Sequence, residues 1–261
     1  MVWLHSLKEG NVTTTLDFTS NAKGSLPGRD WYQVNELFVA PQGEGRLTGE
    51  LCTFIRLQGC TVGCWWCDSG PLTAKGNSNG ETSNTWGSGG SRMTVDAIME
   101  KVVTQHVVIT GGEPTLWNLD GLLDRLHPKH FVQLETSGQN ALKGALIPDW
   151  ITWSPKENLK YDADLDLKMR AAEVKWVVDD NLGLDVVMST FRWYLSPVNQ
   201  RYRLTLSPVR SRIPYFVFMP EGCPPTPEHV NEAINWLSLV PIEYQRYFSF
   251  GDRLQYRIGS R

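Results

Sequence analysis

The chain has 261 residues, 41% hydrophobic, 20% charged and 11% aromatic, which excludes wholesale disorder and collagen-like structure. Lys and Arg total 25 against 28 Asp and Glu, a net charge of −3, so no basic field marks nucleic acid as a direct partner. No apolar run approaches the ~20 residues of a transmembrane helix, and Met1 to Gly10 lack a secretory pattern, which predicts a cytoplasmic protein without a membrane partner.

The mostly β-branched run Val12 to Leu16 predicts a strand, and Asn21 to Gly28 a loop. Asn35 to Ala40 reads as a strand, Gln42-Gly43-Glu44-Gly45 as a turn and Leu51 to Leu57 as a second strand. Pro71 to Arg92, rich in Gly, Ser, Asn and Thr, predicts a long flexible loop. Helices and strands alternate from Thr94 onward. Val95, Ile98, Met99, Val102 and Val103 form one apolar helical face. His106 to Thr110 is a short buried strand, Leu119, Leu122, Leu123 and Leu126 mark a second helix, and Phe131 to Glu135 is a strand. Trp150 to Ser154 and Val174 to Val178 are further strands, and Leu184 to Met188 is helical. Residues 191–214, with two Ser-Pro steps, read as irregular. Tyr215 to Met219 is a strand. Thr226 caps a helix with Pro227 at its first position, and Val230, Ala233, Ile234 and Leu237 form its buried face. Tyr247 to Phe250 is a last strand. This alternation predicts a parallel sheet or barrel.

The five cysteines are Cys52, Cys60, Cys64, Cys67 and Cys223, an odd set that argues against a disulfide framework. Cys60-Thr-Val-Gly-Cys64-Trp-Trp-Cys67 follows a strand. A structural zinc site needs four ligands, and only three thiols are local here. A 4Fe–4S cluster held by three thiolates keeps one iron open for a ligand from outside the protein. Zinc completed by Cys223, or three small buried residues, are the alternatives on spacing alone.

The Cys-x3-Cys-x2-Cys spacing resembles the signature of radical S-adenosylmethionine enzymes. Val108-Ile109-Thr110-Gly111-Gly112-Glu113-Pro114 resembles the strand and Gly-Gly-Glu-Pro turn of that superfamily. Within it, the chain resembles the 7-carboxy-7-deazaguanine synthase family over roughly residues 35–255. The motifs are Asn35 to Phe38, Gln42 to Gly45, Phe54 to Cys60, Cys64 to Asp68, Leu134 to Gly138, Trp153 to Lys156 and Glu173 to Lys175.

The resemblance implies a partial (β/α)6 barrel spanning 35–261, with an N-terminal extension over 1–34 and an insertion at about 70–93. It implies a lyase that converts 6-carboxy-5,6,7,8-tetrahydropterin to 7-carboxy-7-deazaguanine with loss of ammonia, in queuosine-type biosynthesis. The implied cofactors are a 4Fe–4S cluster, S-adenosylmethionine and Mg²⁺. A homodimer and an external electron donor such as a flavodoxin are also implied. Cys60, Cys64 and Cys67 match the cluster ligands. Trp66, Cys67, Asp68, Gly112, Glu113, Ser154, Pro155 and Lys156 match the cofactor site, with Glu113 offering a carboxylate to an ammonium. Pro41, Gln42, Gly43, Glu44, Arg56 and Thr110 match the substrate site. Ser69 stands where the family usually carries Thr as a magnesium ligand, and its hydroxyl suits that ion too.

Each residue also has a plainer reading. Arg56, in an otherwise apolar strand, needs an anion, either the substrate carboxylate or an acid such as Glu44. Gln42 to Gly45 can be a simple turn, and Glu135 and Lys156 surface charges. The family usually closes on a strand with Gln-x-His-Lys. Here Ser249-Phe250-Gly251-Asp252-Arg253 occupies that place, followed by eight residues. Met219-Pro220 likewise replaces a common Gln-Pro. Two alternative functions remain at this level: another radical enzyme of similar layout, such as a glycyl-radical activase or one acting on a modified pterin, and a non-catalytic metal-stabilised binding module.

Overall fold

The computed structural model describes residues 30–64, 67, 90–209, 213–220 and 225–251. The strand expected at Val12 to Leu16 and the loop at Asn21 to Gly28 lie outside them. Among the described residues nine strands form one sheet: β1 (Trp31–Pro41), β2 (Leu51–Leu57), β3 (Ser91–Thr94), β4 (His106–Gly111), β5 (Phe131–Thr136), β6 (Trp150–Trp153), β7 (Glu173–Val178), β8 (Tyr215–Pro220) and β9 (Phe248–Phe250). Their spatial order is β3-β1-β2-β4-β5-β6-β7-β8-β9. From β2 to β9 every neighbouring pair is parallel. β1 runs antiparallel to both β2 and β3.

The helices are α1 (Val95–Met99), α2 (Asp120–Leu126), α3 (Leu165–Arg170), α4 (Leu184–Leu195), α5 (Pro197–Leu206) and α6 (Pro227–Leu239). The apolar core sits between them and one face of the sheet. Ile55, Leu57, Val107, Ile109, Leu134, Ile151, Trp153, Val174 and Trp176 meet Leu122, Leu123, Leu126, Leu167, Phe191 and Ala233 there. Alternation along each strand turns the intervening residues to the other face. That face carries Arg56, Thr110, Gln133, Glu135, Thr152, Glu173 and Lys175. A sheet with helices on one side and a polar stripe on the other is a partial barrel, open between β3 and β9.

Several expected elements differ in the structure. β1 begins at Trp31, inside the stretch read as an N-terminal extension, and β3 occupies Ser91 and Arg92, read as loop. α1 ends at Met99, which leaves Val102 and Val103 beyond it, and Val103 is 72% exposed. Residues 191–195 and 197–206 are helical, not irregular. Ser196-Pro197 ends α4 and starts α5 at once, because Pro sits at the first position of α5, where its missing N–H costs nothing. The pattern of α5 is disguised because its fully buried side chain is Arg203, which donates to the Met169 carbonyl at 2.7 Å. On α6, Trp236 is buried and Ile234 exposed. Tyr247 closes a 3-10 turn before β9.

Leu134 is fully buried at the centre of β5. Leu134→Ala should lower unfolding free energy by about 2–5 kcal/mol in a urea titration. A loss below about 1 kcal/mol would show that the helix-side core is not packed as described.

Candidate active site

The cysteine loop leaves the C-terminal end of β2 and is pinned from three sides. Glu113 N donates to Gly59 O at 2.8 Å, and Trp117 Nε1 to Gln58 O at 2.9 Å. Thr61 Oγ1 donates to Gln139 Oε1 at 2.7 Å. Asn158 Nδ2 donates to the carbonyls of Val62 and Gly63 at 3.0 and 2.7 Å. A Cβ at Gly112 would overlap the Gly59 carbonyl, so the Gly-Gly-Glu turn packs on the cysteine loop only because it lacks one.

Cys60, Cys64 and Cys67 are half-buried and free of disulfides. Among the described residues they are not gathered around a single-ion centre. Burial pushes the Cys60 thiol up to about 12, with Glu113, Cys64 and Cys67 adding to it. Burial also raises Cys64, opposed by the ammonium of Lys156. Three thiols within electrostatic reach, on a loop clamped to the barrel rim, make a donor set that fits an iron–sulfur cluster. Loading it must release their protons.

Glu113 is buried, and its carboxylate is crowded. Oε1 accepts from Thr115 N at 3.0 Å and from the hydroxyls of Thr115 and Thr136, each at 2.6 Å. Oε2 accepts from Ser137 N at 2.8 Å and from the Ser137 hydroxyl. The sequence reading offers this carboxylate to an ammonium. In the structure five protein donors already use it, and it ties the β4 exit turn to the end of β5. Ser154 and Pro155 are buried just past β6, and Lys156 Nζ donates to Ser154 Oγ at 2.6 Å. Burial lowers the Lys156 pKa, opposed by Cys64.

The Gln42–Glu50 loop enters from the opposite rim. It joins Pro41 at the end of β1 to Leu51 at the start of β2 and folds inward as a floor. Gln42 Nε2 reaches Gln133 Oε1 at 3.1 Å and Glu135 Oε1 at 3.3 Å. Lys175 Nζ lies 2.8 Å from both Glu44 Oε2 and Glu135 Oε2. Arg46 N donates to Glu173 Oε2 at 2.9 Å. Gly45 has φ +75°, and its missing Cβ leaves the space that Glu173 Oε1 fills. That oxygen is buried without a hydrogen-bond partner. Burial and the Glu135 carboxylate push Glu173 up to about 7. Glu135 is also raised by burial, with Lys175 opposing.

Arg56 pairs with Glu36 across β1–β2 at 3.3 Å, not with Glu44. Glu36 is half exposed, so a carboxylate ligand can compete for the guanidinium at little cost. Thr110 sits beside Arg56 in the β2–β4 register. Glu135 and Lys156 are not surface charges. Trp66, Asp68 and Ser69 lie outside the described residues, as do Cys223 and Asp252. Lys175, Glu173, Gln133 and Asn158 carry no assigned role in the sequence reading. The signal for the first three is legible: Gln133-Leu-Glu135 and Glu173-Val-Lys175 alternate polar and apolar within buried strands.

No family model matches the chain. It is 37% identical over 177 residues to 7-carboxy-7-deazaguanine synthase of Escherichia coli strain K12, covering 61% of this chain and 78% of that protein. It is 39% identical over 199 residues to the protein of that name from Buchnera aphidicola subsp. Schizaphis graminum, covering 65% and 86%. The crystal structure of QueE from Escherichia coli superposes with a TM-score of 0.59 at 25% identity, covering 85% of this chain and 93% of that one.

Because the folded-state pKa of Glu173 lies above its ordinary 4.5, protonation favours the folded state. That stability is complete below pH 4.5 and is lost as the pH rises through about 7. Glu173→Gln removes the dependence. The variant should gain roughly 3 kcal/mol on wild type between pH 4.5 and 8 in urea unfolding. A gap that does not change with pH would contradict the buried, raised carboxyl.

Proposed function

The chain belongs to the 7-carboxy-7-deazaguanine synthase family of radical S-adenosylmethionine enzymes, and we propose that it converts 6-carboxy-5,6,7,8-tetrahydropterin to 7-carboxy-7-deazaguanine with loss of ammonia. One observation carries this reading: the clamped cysteine loop and the Gln42–Glu50 floor face each other across a single polar stripe of the sheet. The reaction is redox-neutral overall, since substrate and product differ by one ammonia.

Cys60, Cys64 and Cys67 would hold a 4Fe–4S cluster. When bound with S-adenosylmethionine, it supplies hydrogen-atom abstraction at C6 of the pterin. Gly112, Ser154, Pro155 and Lys156 would line the cofactor pocket beside that loop, and Glu113 would shape the turn. Trp66 and Asp68 join them on the family pattern alone, as does Ser69 as a Mg²⁺ ligand. Arg56 suits the pterin carboxylate, because its planar fork matches that group. Pro41, Gln42, Gly43, Glu44 and Thr110 complete the substrate site. Gln42 and Glu44 offer the barrel interior an amide and a carboxylate.

We read 35–261 as the catalytic domain, with β1 starting slightly before it. No described helix is long and apolar enough to cross a membrane. A cytoplasmic homodimer fed by an external electron donor completes the proposal.

The test is anaerobic reconstitution with iron and sulfide, then reductant, S-adenosylmethionine and the carboxytetrahydropterin. Carboxydeazaguanine should form, and cofactor cleavage without any pterin turnover would refute the reading. Cys64→Ala should lose the cluster absorbance and all turnover. Arg56→Ala should keep the cluster and weaken pterin binding by roughly tenfold or more. Unchanged pterin affinity would refute the role of Arg56.

A further inference from the structure

We propose that Lys175 is a specificity-determining positioning residue, which holds Glu44 and Glu135 as a pair of ionised acceptors for the N–H edge of the pterin's aminopyrimidinone ring. The proposal rests on the substrate class proposed above. It starts from a geometric fact: one ammonium, with a 9% exposed side chain, stands 2.8 Å from two carboxylates on different elements. Glu44 comes from the floor loop and Glu135 from β5. Glu173, on the same strand as Lys175, and Lys156, just past β6, are the other charged groups around it.

The bonding of each carboxylate sets what it can still accept. Glu135 Oε1 takes Gln133 Nε2 at 2.7 Å and the weaker Gln42 contact, while Oε2 takes Lys175. A carboxylate offers about four lone-pair directions, so Glu135 retains one. Glu44 is the more open of the two, with 21% side-chain exposure against 14%. The 2-amino group and N3–H of a pterin form a donor edge. Ionised carboxylates receive it, whereas neutral carboxylic acids present an O–H against it.

Lys175 is the counter-charge of both carboxylates. Burial raises Glu135 and the ammonium opposes it, and loss of that ammonium leaves two carboxylates without the cation that stands 2.8 Å from each, which favours their neutral forms. Such a site would tolerate a ring that carries an acceptor at C2. Lys175 thus acts through two other side chains and need not touch the substrate.

The test is equilibrium binding to the reconstituted enzyme without reductant, so that nothing turns over. The two probes are 6-carboxytetrahydropterin and its 2-oxo analogue, 6-carboxytetrahydrolumazine. Wild type should prefer the pterin by about a hundredfold or more. Lys175→Met should reduce that preference to below about tenfold, and Lys175→Arg, which keeps the charge, should retain it to within about threefold. A purely structural role would weaken both probes equally. The proposal is overturned if Lys175→Met keeps the wild-type preference. It is also overturned if Lys175→Arg loses the preference, an arm that holds even if the Met variant does not fold. A wild type that binds neither probe would overturn the substrate reading itself, and the proposal with it.

Discussion

A buried ammonium shared by two carboxylates organises the interior of this barrel. Each ion costs several kcal/mol to remove from water, and only close opposite charges offset that cost. Lys175 meets both Glu44 and Glu135 at 2.8 Å, and in doing so ties the β1–β2 loop to β5 and β7. The Gln42, Arg46 and Glu50 contacts add to that tie. Burial, with the Glu135 carboxylate adding to it, pushes Glu173 beside the triad up to about 7. The same buried charges shape the floor and add to the shift of their neighbour.

The opposite rim is built by different means. Neutral hydrogen bonds from Glu113 N, Thr61 and Asn158 clamp the cysteine loop, and close backbone approach at Gly112 seats it. Glu113 spends its carboxylate on Thr115, Thr136 and Ser137, which fixes the turn rigidly. The described part of the rim is therefore held in place by the protein's own contacts. The two ends meet on one polar stripe that the alternation of β2, β4, β5, β6 and β7 presents to the interior.

Much of this was legible in the sequence, and the failures have physical causes. Parallel strands announce themselves as apolar runs, and all of those expected within the described residues are present. Arg56, Thr110, Glu135 and Ser154 fall near the C-terminal ends of strands, where barrel sites collect. The floor loop breaks that rule, because it enters from the other rim. Lys175 and Glu173 escape notice because they open β7 rather than end it. The stagger between strands, which pairs Thr152 with Glu173, lifts them to the level of Glu135. Helix α5 hides behind Arg203, a charged residue at a core position. The Glu36 partner of Arg56 is visible only in the antiparallel register of β1 and β2.

Turnover of carboxytetrahydropterin deuterated at C6 shows whether the cysteine rim and the carboxylate floor serve one substrate between them. If the two ends share a site, deuterium should appear in the 5′-deoxyadenosyl group of the recovered cofactor. Product formation or cofactor cleavage with no deuterium in that group would contradict a shared site.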